Sequence, residues 1–206
     1  MRSEPTIVSE THGPVFVIRI NNPKQKNSLN ADVLAGLALE LEAIRARQDI
    51  AAIVFTGAAD VFASGADINE LRRLTLASAT EFANRGQRIF QDIADARQLT
   101  IAAINGYCIG GGLDLALACD LRFASASALF RHPGATLGII TGWGGTQRLP
   151  RLIGTALTLE LFTTARSLRS AEAYKLGLIT RIADPVLECA LEVAREFAAR
   201  QASLNP

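Results

Sequence analysis

Two short stretches carry residue types and spacings that could do chemistry. Phe62-Ala63-Ser64-Gly65-Ala66-Asp67-Ile68 follows a short apolar run and leads into a helical pattern. Backbone N–H groups at a strand-to-helix junction point outward without an intrahelical partner. Small side chains let a ligand approach that backbone, which suits an anion or an oxyanion. The other reading is a tight turn in which Asp67 only caps the helix. The second stretch is Asn105-Gly106-Tyr107-Cys108-Ile109-Gly110-Gly111-Gly112-Leu113-Asp114. Three consecutive glycines cost backbone entropy, and here they stand before a helix whose positive end favours negative charge. No Lys-Ser/Thr pair follows, and the pattern is not the dinucleotide fingerprint. Taken alone, the glycines read equally as close helix-to-sheet packing. Together, each stretch could lend one backbone donor to a single oxygen. Two converging donors make an oxyanion hole able to hold an enolate of a carbonyl or thioester. Loss of one such donor typically costs about 3–4 kcal/mol of barrier.

The surrounding elements must bring those two stretches together. Residues 5–21 read as a hairpin, with His12-Gly13-Pro14 at its turn. After the polar loop NNPKQKNSLN, Asn30 caps a helix over about 31–47, with Val33, Leu34, Leu37, Leu41 and Ile44 as its apolar stripe. Residues 51–55 and 101–104 are continuously apolar and read as buried strands. A helix is predicted over 78–96, and another over 113–119. Strands follow at 121–124 and 128–130, then helices near 146–153 and 156–163. Ser170 is predicted to cap a helix to Lys175. A strand over 178–182 and a helix from 186 to about 202 close the pattern. This alternation predicts an α/β fold with a mostly parallel sheet.

Composition narrows the function. The chain has 206 residues, 49% of them hydrophobic, enough for one large core. Its 21 basic and 20 acidic residues leave a formal net charge of +1. That balance offers no electrostatic footprint for nucleic acid or an anionic membrane. No run approaches the ~18 apolar residues of a membrane span. Cys108, Cys119 and Cys189 form neither an even set nor a C-x-x-C pair, so neither a disulfide framework nor a zinc site is expected. A reducing cytoplasm is the expected location. His12 and His132 are the only histidines, and neither lies in a nucleophile motif.

The chain resembles the crotonase superfamily of enoyl-CoA hydratases and isomerases. The matching stretches are NNPKQKNSLN, IVFTGAADVFASGADINEL, IAAINGYCIGGGLDLALACDLRFAS, GWGGTQRLPRLIG and the Ser170–Ile179 run, in that order over roughly residues 5–190. The resemblance implies an α/β spiral of ββα units and an acyl-CoA substrate, with coenzyme A carried by the substrate and no other cofactor. It places the oxyanion donors on the N–H groups of Ala66 and Gly111. Coenzyme A would lie along Lys26–Ser28 and along Ser64, Gly65, Asp67 and Ile68. The acyl group would pass Gly110, Pro133, Gly134, Thr141 and Gly142. Lys24 or Lys26 could meet the phosphates, and both also read as ordinary loop lysines. A homo-oligomer, trimer or hexamer, is implied as well.

Two departures from the family pattern stand out. Hydratases that resemble this chain hold a water between two glutamates. The first position is Asp114 here, and the second is Gly134. Asp114 is shorter by one C–C bond, about 1.5 Å, but keeps the acid and falls in the first turn of a helix, as a base should; its other reading is a capping role. The dienoyl-CoA isomerase branch places a further carboxylate where Gly142 stands, so that reading is not favoured. An oxyanion hole alone can assist decarboxylation of a malonyl-type thioester, and a non-catalytic acyl-CoA-binding subunit is a third reading. Thr141 and His132 are candidate substitutes for the absent acid, although His132 also reads as a pocket-wall residue. Trp143 is expected to pack on the pocket or sheet, Asp67 to anchor its loop, Asp120 to make buried structural bonds and Glu70 to face solvent. The second departure is the C-terminus, since relatives continue for several helices. Residues 1–190 are therefore expected to form the acyl-CoA-binding core, and 191–206 the start of a shortened helical region.

Overall fold

The computed structural model describes residues 5–204. The chain opens with strands β1 (Ile7–His12), β2 (Val15–Ile20) and β3 (Ser28–Leu29), then helix α1 (Ala31–Arg45). Next come β4 (Ala52–Gly57), β5 (Val61–Ala63), β6 (Gly65–Ala66), α2 (Ile68–Leu71) and α3 (Leu76–Ala94). A third stretch carries β7 (Leu99–Ile104), β8 (Tyr107–Ile109) and α4 (Gly111–Ala118). A fourth carries β9 (Leu121–Ala124), β10 (Leu129–Arg131), α5 (Gly134–Leu137), α6 (Gly145–Ile153) and α7 (Thr155–Thr164). The chain then adds β11 (Leu168–Arg169), α8 (Ser170–Lys175), β12 (Arg181–Ile182) and α9 (Val186–Leu204).

The strands deal themselves alternately into two main sheets. A six-stranded sheet has the order β1-β2-β4-β7-β9-β12, and a four-stranded sheet has the order β11-β10-β8-β5. Three successive turns of chain therefore place β4, β7 and β9 side by side in one sheet. The same turns place β5, β8 and β10 side by side in the other. These neighbours run parallel because every turn travels the same way before its helix returns the chain. Only the hairpin β1–β2 and the pair β10–β11 are antiparallel among the described strands of these two sheets. This is the expected spiral of ββα units.

Strand periodicity explains the long apolar runs. Side chains alternate across a strand, so Ile53 and Phe55 face one core with Phe62, Phe90 and the stripe of α1. Ala52, Val54, Ile101 and Ala103 face the other core, where Val186, Ala190, Leu191 and Ala194 of α9 cover them. Both faces of the sheet are buried, which removes any polar alternation. α1 matches the predicted stripe, and the Asn30 side chain accepts from the Val33 N–H at 3.0 Å.

Several expectations need correction. α3 starts at Leu76 because Thr75 and Ser78 form a reciprocal cap, so Ser78 lies inside the helix. Ser170 does not cap α8; its hydroxyl instead donates to the carbonyl of Ser125 at 2.6 Å. The strand predicted over 178–182 shrinks to Arg181–Ile182. There the Leu178 carbonyl accepts from the buried Arg122 guanidinium at 2.8 Å rather than joining the sheet. That guanidinium also donates to the Cys119 carbonyl at 2.6 Å, and burial pulls its pKa down. Asp120 makes the structural bonds expected, accepting from the Thr100 N–H and hydroxyl at 2.8 Å each, but it is exposed rather than buried. Glu70 does not simply face solvent: it accepts from the Ala31 N–H at 2.9 Å at the start of α1. α9 runs through residue 190, and its buried residues on either side pack with the same sheet.

Candidate active site

The register of the four-stranded sheet assembles the site. Ala63 pairs with Cys108 across β5 and β8, and Ile109 pairs with Arg131 across β8 and β10. The residues that follow each strand therefore emerge side by side at the carboxyl ends, where parallel sheets place their ligands. β5 delivers Gly65-Ala66, β8 delivers Gly110-Gly111, and β10 delivers His132-Pro133-Gly134. The Gly110 N–H donates to the Arg131 carbonyl at 2.8 Å and locks two of these ends together.

The two glycine-rich stretches meet as expected. Gly65 adopts φ +91°, a conformation that favours glycine. A Cβ there would lie 2.9 Å from the Gly111 amide nitrogen, and one on Gly111 would lie 3.5 Å from the Ala66 amide nitrogen. The two amides are thus neighbours, and the absence of side chains is what lets them approach. Gly111 opens α4, so its N–H has no intrahelical carbonyl to meet. β6 is held from behind by β3, with Ser28 opposite Gly65 and Leu29 opposite Ala66.

Beside these amides lies a cavity of ≈ 260 Å³. Ser64, Gly65, Ala66 and Ile68 line one side, and Gly110, Gly111 and Asp114 another. Pro133, Gly134, Thr141 and Gly142 complete the residues that the sequence placed there. Lys26, Ser28 and Asp67 are not part of the lining. Lys26 is exposed on the loop before β3, Ser28 is buried in β3, and Asp67 caps α2 by accepting from the Asn69 N–H at 2.7 Å. Trp143 lines the cavity with its ring centroid 5.1 Å from Phe82 and 5.6 Å from Phe90. Sequence reading missed the apolar wall made by Leu71, Phe82, Leu137, Ile139, Ile140 and Phe162. Its one legible signal was Leu137-Gly138-Ile139-Ile140, a loop too apolar for open solvent.

Asp114 sits in the first turn of α4, fully buried at the cavity wall. Its Oδ2 accepts from the Thr141 hydroxyl. Its Oδ1 lies 3.3 Å from His132 Nε2, inside ion-pair distance but out of line for a hydrogen bond. Both of those atoms are buried and find no hydrogen-bond partner in the protein. The His132 ring packs edge-on against Phe162, with centroids 5.0 Å apart. Arg148 donates to the Trp143 carbonyl at 3.2 Å; burial pulls its pKa down while the charge of Asp114 pulls it back up. Burial pushes the Cys108 thiol well up, with the charge of Asp114 adding to it, and raises Cys119 to about 12. Neither thiol is a nucleophile at neutral pH.

Gly134 is closed to the carboxylate that the resemblance puts at its position. A Cβ there would overlap the carbonyl of Ile139, whose N–H donates to the Gly134 carbonyl at 3.0 Å. Gly134→Glu is therefore expected to give no gain in turnover and to lower stability by about 1–3 kcal/mol, the usual cost of overpacking. A thermal melt and a kcat measured on one preparation check this; a gain in kcat would mean that the Ile139 loop yields.

A parallel spiral whose strand ends converge on two backbone amides and an apolar cavity is the crotonase fold, a class built to hold an acyl oxygen. The family model described as "Enoyl-CoA hydratase/isomerase" matches residues 10–205. The chain is 35% identical over 194 residues to a short-chain-enoyl-CoA hydratase of Clostridium acetobutylicum, covering 93% of this chain and 74% of that one. It is 38% identical over 180 residues to a crotonyl-CoA hydratase of Syntrophomonas wolfei, covering 87% and 69%. The crystal structure of an enoyl-CoA hydratase from Bacillus anthracis superimposes with a TM-score of 0.90 at 34% identity, covering 94% of this chain and 76% of that one. The chain belongs to the enoyl-CoA hydratase/isomerase family. Among the described residues no three metal-ligating side chains cluster, and no helix is long and apolar enough to cross a membrane.

Proposed function

We propose that this protein adds water across the double bond of an enoyl-CoA thioester. The observation that carries the reading is the buried carboxylate of Asp114 at the wall of an apolar cavity that also receives the Ala66 and Gly111 amides. The thioester oxygen sits between those two N–H groups. As water attacks Cβ, negative charge gathers on that oxygen, and preoriented donors stabilise it more than they stabilise the ground state. Asp114 takes a proton from the attacking water, with the Thr141 hydroxyl holding the carboxylate in place. The acyl chain lies along Pro133, Gly134 and Gly142, and coenzyme A leaves by way of Ser64–Ile68 towards Lys26. Coenzyme A comes with the substrate, and the chemistry uses no other cofactor.

A homo-oligomer, trimer or hexamer, belongs to the same proposal. Its support is the exposure of Ile68, Leu137, Ile139 and Ile140 around the cavity mouth, an apolar surface of the kind that association covers. A cytoplasmic setting is supported by the free cysteines.

Turnover of crotonyl-CoA, with thioester binding followed in the same samples, tests the reading. Hydration at a steady rate upholds it. Binding without hydration rejects hydration and directs the assay to malonyl-type thioesters, whose CO₂ departs without a base.

A further inference from the structure

Of the described residues that line the cavity, only Asp114 and His132 carry ionisable acid–base side chains. They come from different turns of the spiral, one from α4 and one from the end of β10. Their side chains are 1% and 4% exposed, and the facing atoms stand 3.3 Å apart. A buried polar atom without a partner is costly, and here the pair leaves one such atom on each side. A wall residue serving only as packing against Phe162 has no need of a polar atom within ion-pair distance of a buried carboxylate. Room for the pair is also kept free: a Cβ on Gly145 would press on Asp114 Oδ1 and would stand 3.2 Å from His132 Nε2.

We propose that His132 is the catalytic acid of this site, delivering the proton to the substrate's α-carbon while Asp114 serves the water. This rests on the hydration reading above. In the step, the water oxygen bonds to Cβ and Asp114 takes one of its protons. The π electrons of the double bond move onto the thioester oxygen as an enolate. The enolate returns its electron pair to Cα, which takes the proton from Nε2 of the His132 imidazolium. The proton on Asp114 then crosses to Nε2, restoring carboxylate and imidazolium. Water is consumed whole, one hydrogen at Cα and one hydroxyl at Cβ, with no oxidant or reductant.

The division of labour makes an uncommon prediction. A saturated thioester, butyryl-CoA, has no double bond to hydrate, but its α-hydrogens exchange with D₂O when His132, having passed its Nε2 proton to Asp114 or to solvent, takes one from Cα. His132→Gln is expected to lower crotonyl-CoA kcat by about 10²–10⁴, to change KM less than about threefold, and to stop α-exchange. Asp114→Asn is expected to slow hydration by about 10²–10⁴ and keep α-exchange. A residue that merely positions Asp114 would lose hydration and keep exchange, so exchange surviving in His132→Gln overturns the proposal. Unchanged kcat in His132→Gln also overturns it and leaves the hydration reading standing. A native chain that neither hydrates crotonyl-CoA nor exchanges butyryl-CoA ends both. Should His132→Gln fail to fold, His12→Gln leaves His132 as the sole imidazole for ¹⁵N NMR. Its ring signals must move when butyryl-CoA binds, and unmoved signals overturn the role.

Discussion

Asp114→Asn is expected to stay folded, to bind a CoA thioester, and to hydrate crotonyl-CoA about 10²–10⁴ more slowly, the usual contribution of one general acid–base group. That loss corresponds to about 3–5 kcal/mol of transition-state stabilisation. The side chain is fully buried, so an isosteric amide is the right probe. It keeps the volume at the cavity wall, and its carbonyl oxygen can still accept from the Thr141 hydroxyl. It removes the carboxylate's charge and its ability to take a proton from water. Calorimetric titration with butyryl-CoA and steady-state kinetics on the same material measure the two halves. A rate within threefold of the native chain would show that the water is activated elsewhere, and a lost binding signal would place Asp114 in the architecture of the pocket instead.

Gly145→Ala tests the same centre from behind and leaves all of its chemical groups in place. The new methyl group would collide with Asp114 Oδ1 and stand 2.8 Å from Thr141 Cγ2. Position 145 opens α6, where alanine is a better helix former than glycine by up to about 1 kcal/mol. Stability is thus expected to change little, because the crowded atoms are the ends of side chains that can swing away. Activity is expected to fall about 10²-fold, since a displacement near 1 Å has that effect on a positioned group. A melting curve and a kcat for crotonyl-CoA decide the outcome. Full activity would mean that the carboxylate works equally well from a shifted position, against the geometry derived above.

Much of this arrangement was legible in the residues, and the reasons differ from place to place. α1 could be read because one buried stripe repeats at helical spacing and Asn30 marks its start. That two backbone donors could converge was suggested by the small residues in two places, which also read as turn and packing; the particular amides, Ala66 and Gly111, came from the family resemblance. The short strands β5, β6 and β8 were not legible. Two or three residues hold too little periodicity, and their pairing is set by register with strands far along the chain. The start of α3 was missed by two residues because its cap, Thr75, and the reciprocal bond from Ser78 were not read. His132 was seen as a candidate, but its distance from Asp114 depends on a strand register that no local pattern encodes. Gly134 was read as a missing acid. Its tight contact with the Ile139 backbone, which makes glycine a steric requirement, belongs to tertiary structure alone.

The three parallel strand ends also divide the site into parts that can change independently. One turn of the spiral supplies Ala66, the next supplies Gly111 and Asp114, and the third supplies His132 and the apolar segment that follows. That segment's tethers include the Thr141 hydroxyl on Asp114, the Gln87 amide on the Gly142 carbonyl at 2.7 Å, and the Ile139 N–H on Gly134. Between those tethers Leu137, Ile139 and Ile140 line the cavity and are partly open to solvent. On the hydration proposal, substrate range is then a property of a replaceable strap. Acyl length preference can be re-engineered by swapping residues 137–140 while the machinery that handles charge and protons stays where the strands put it.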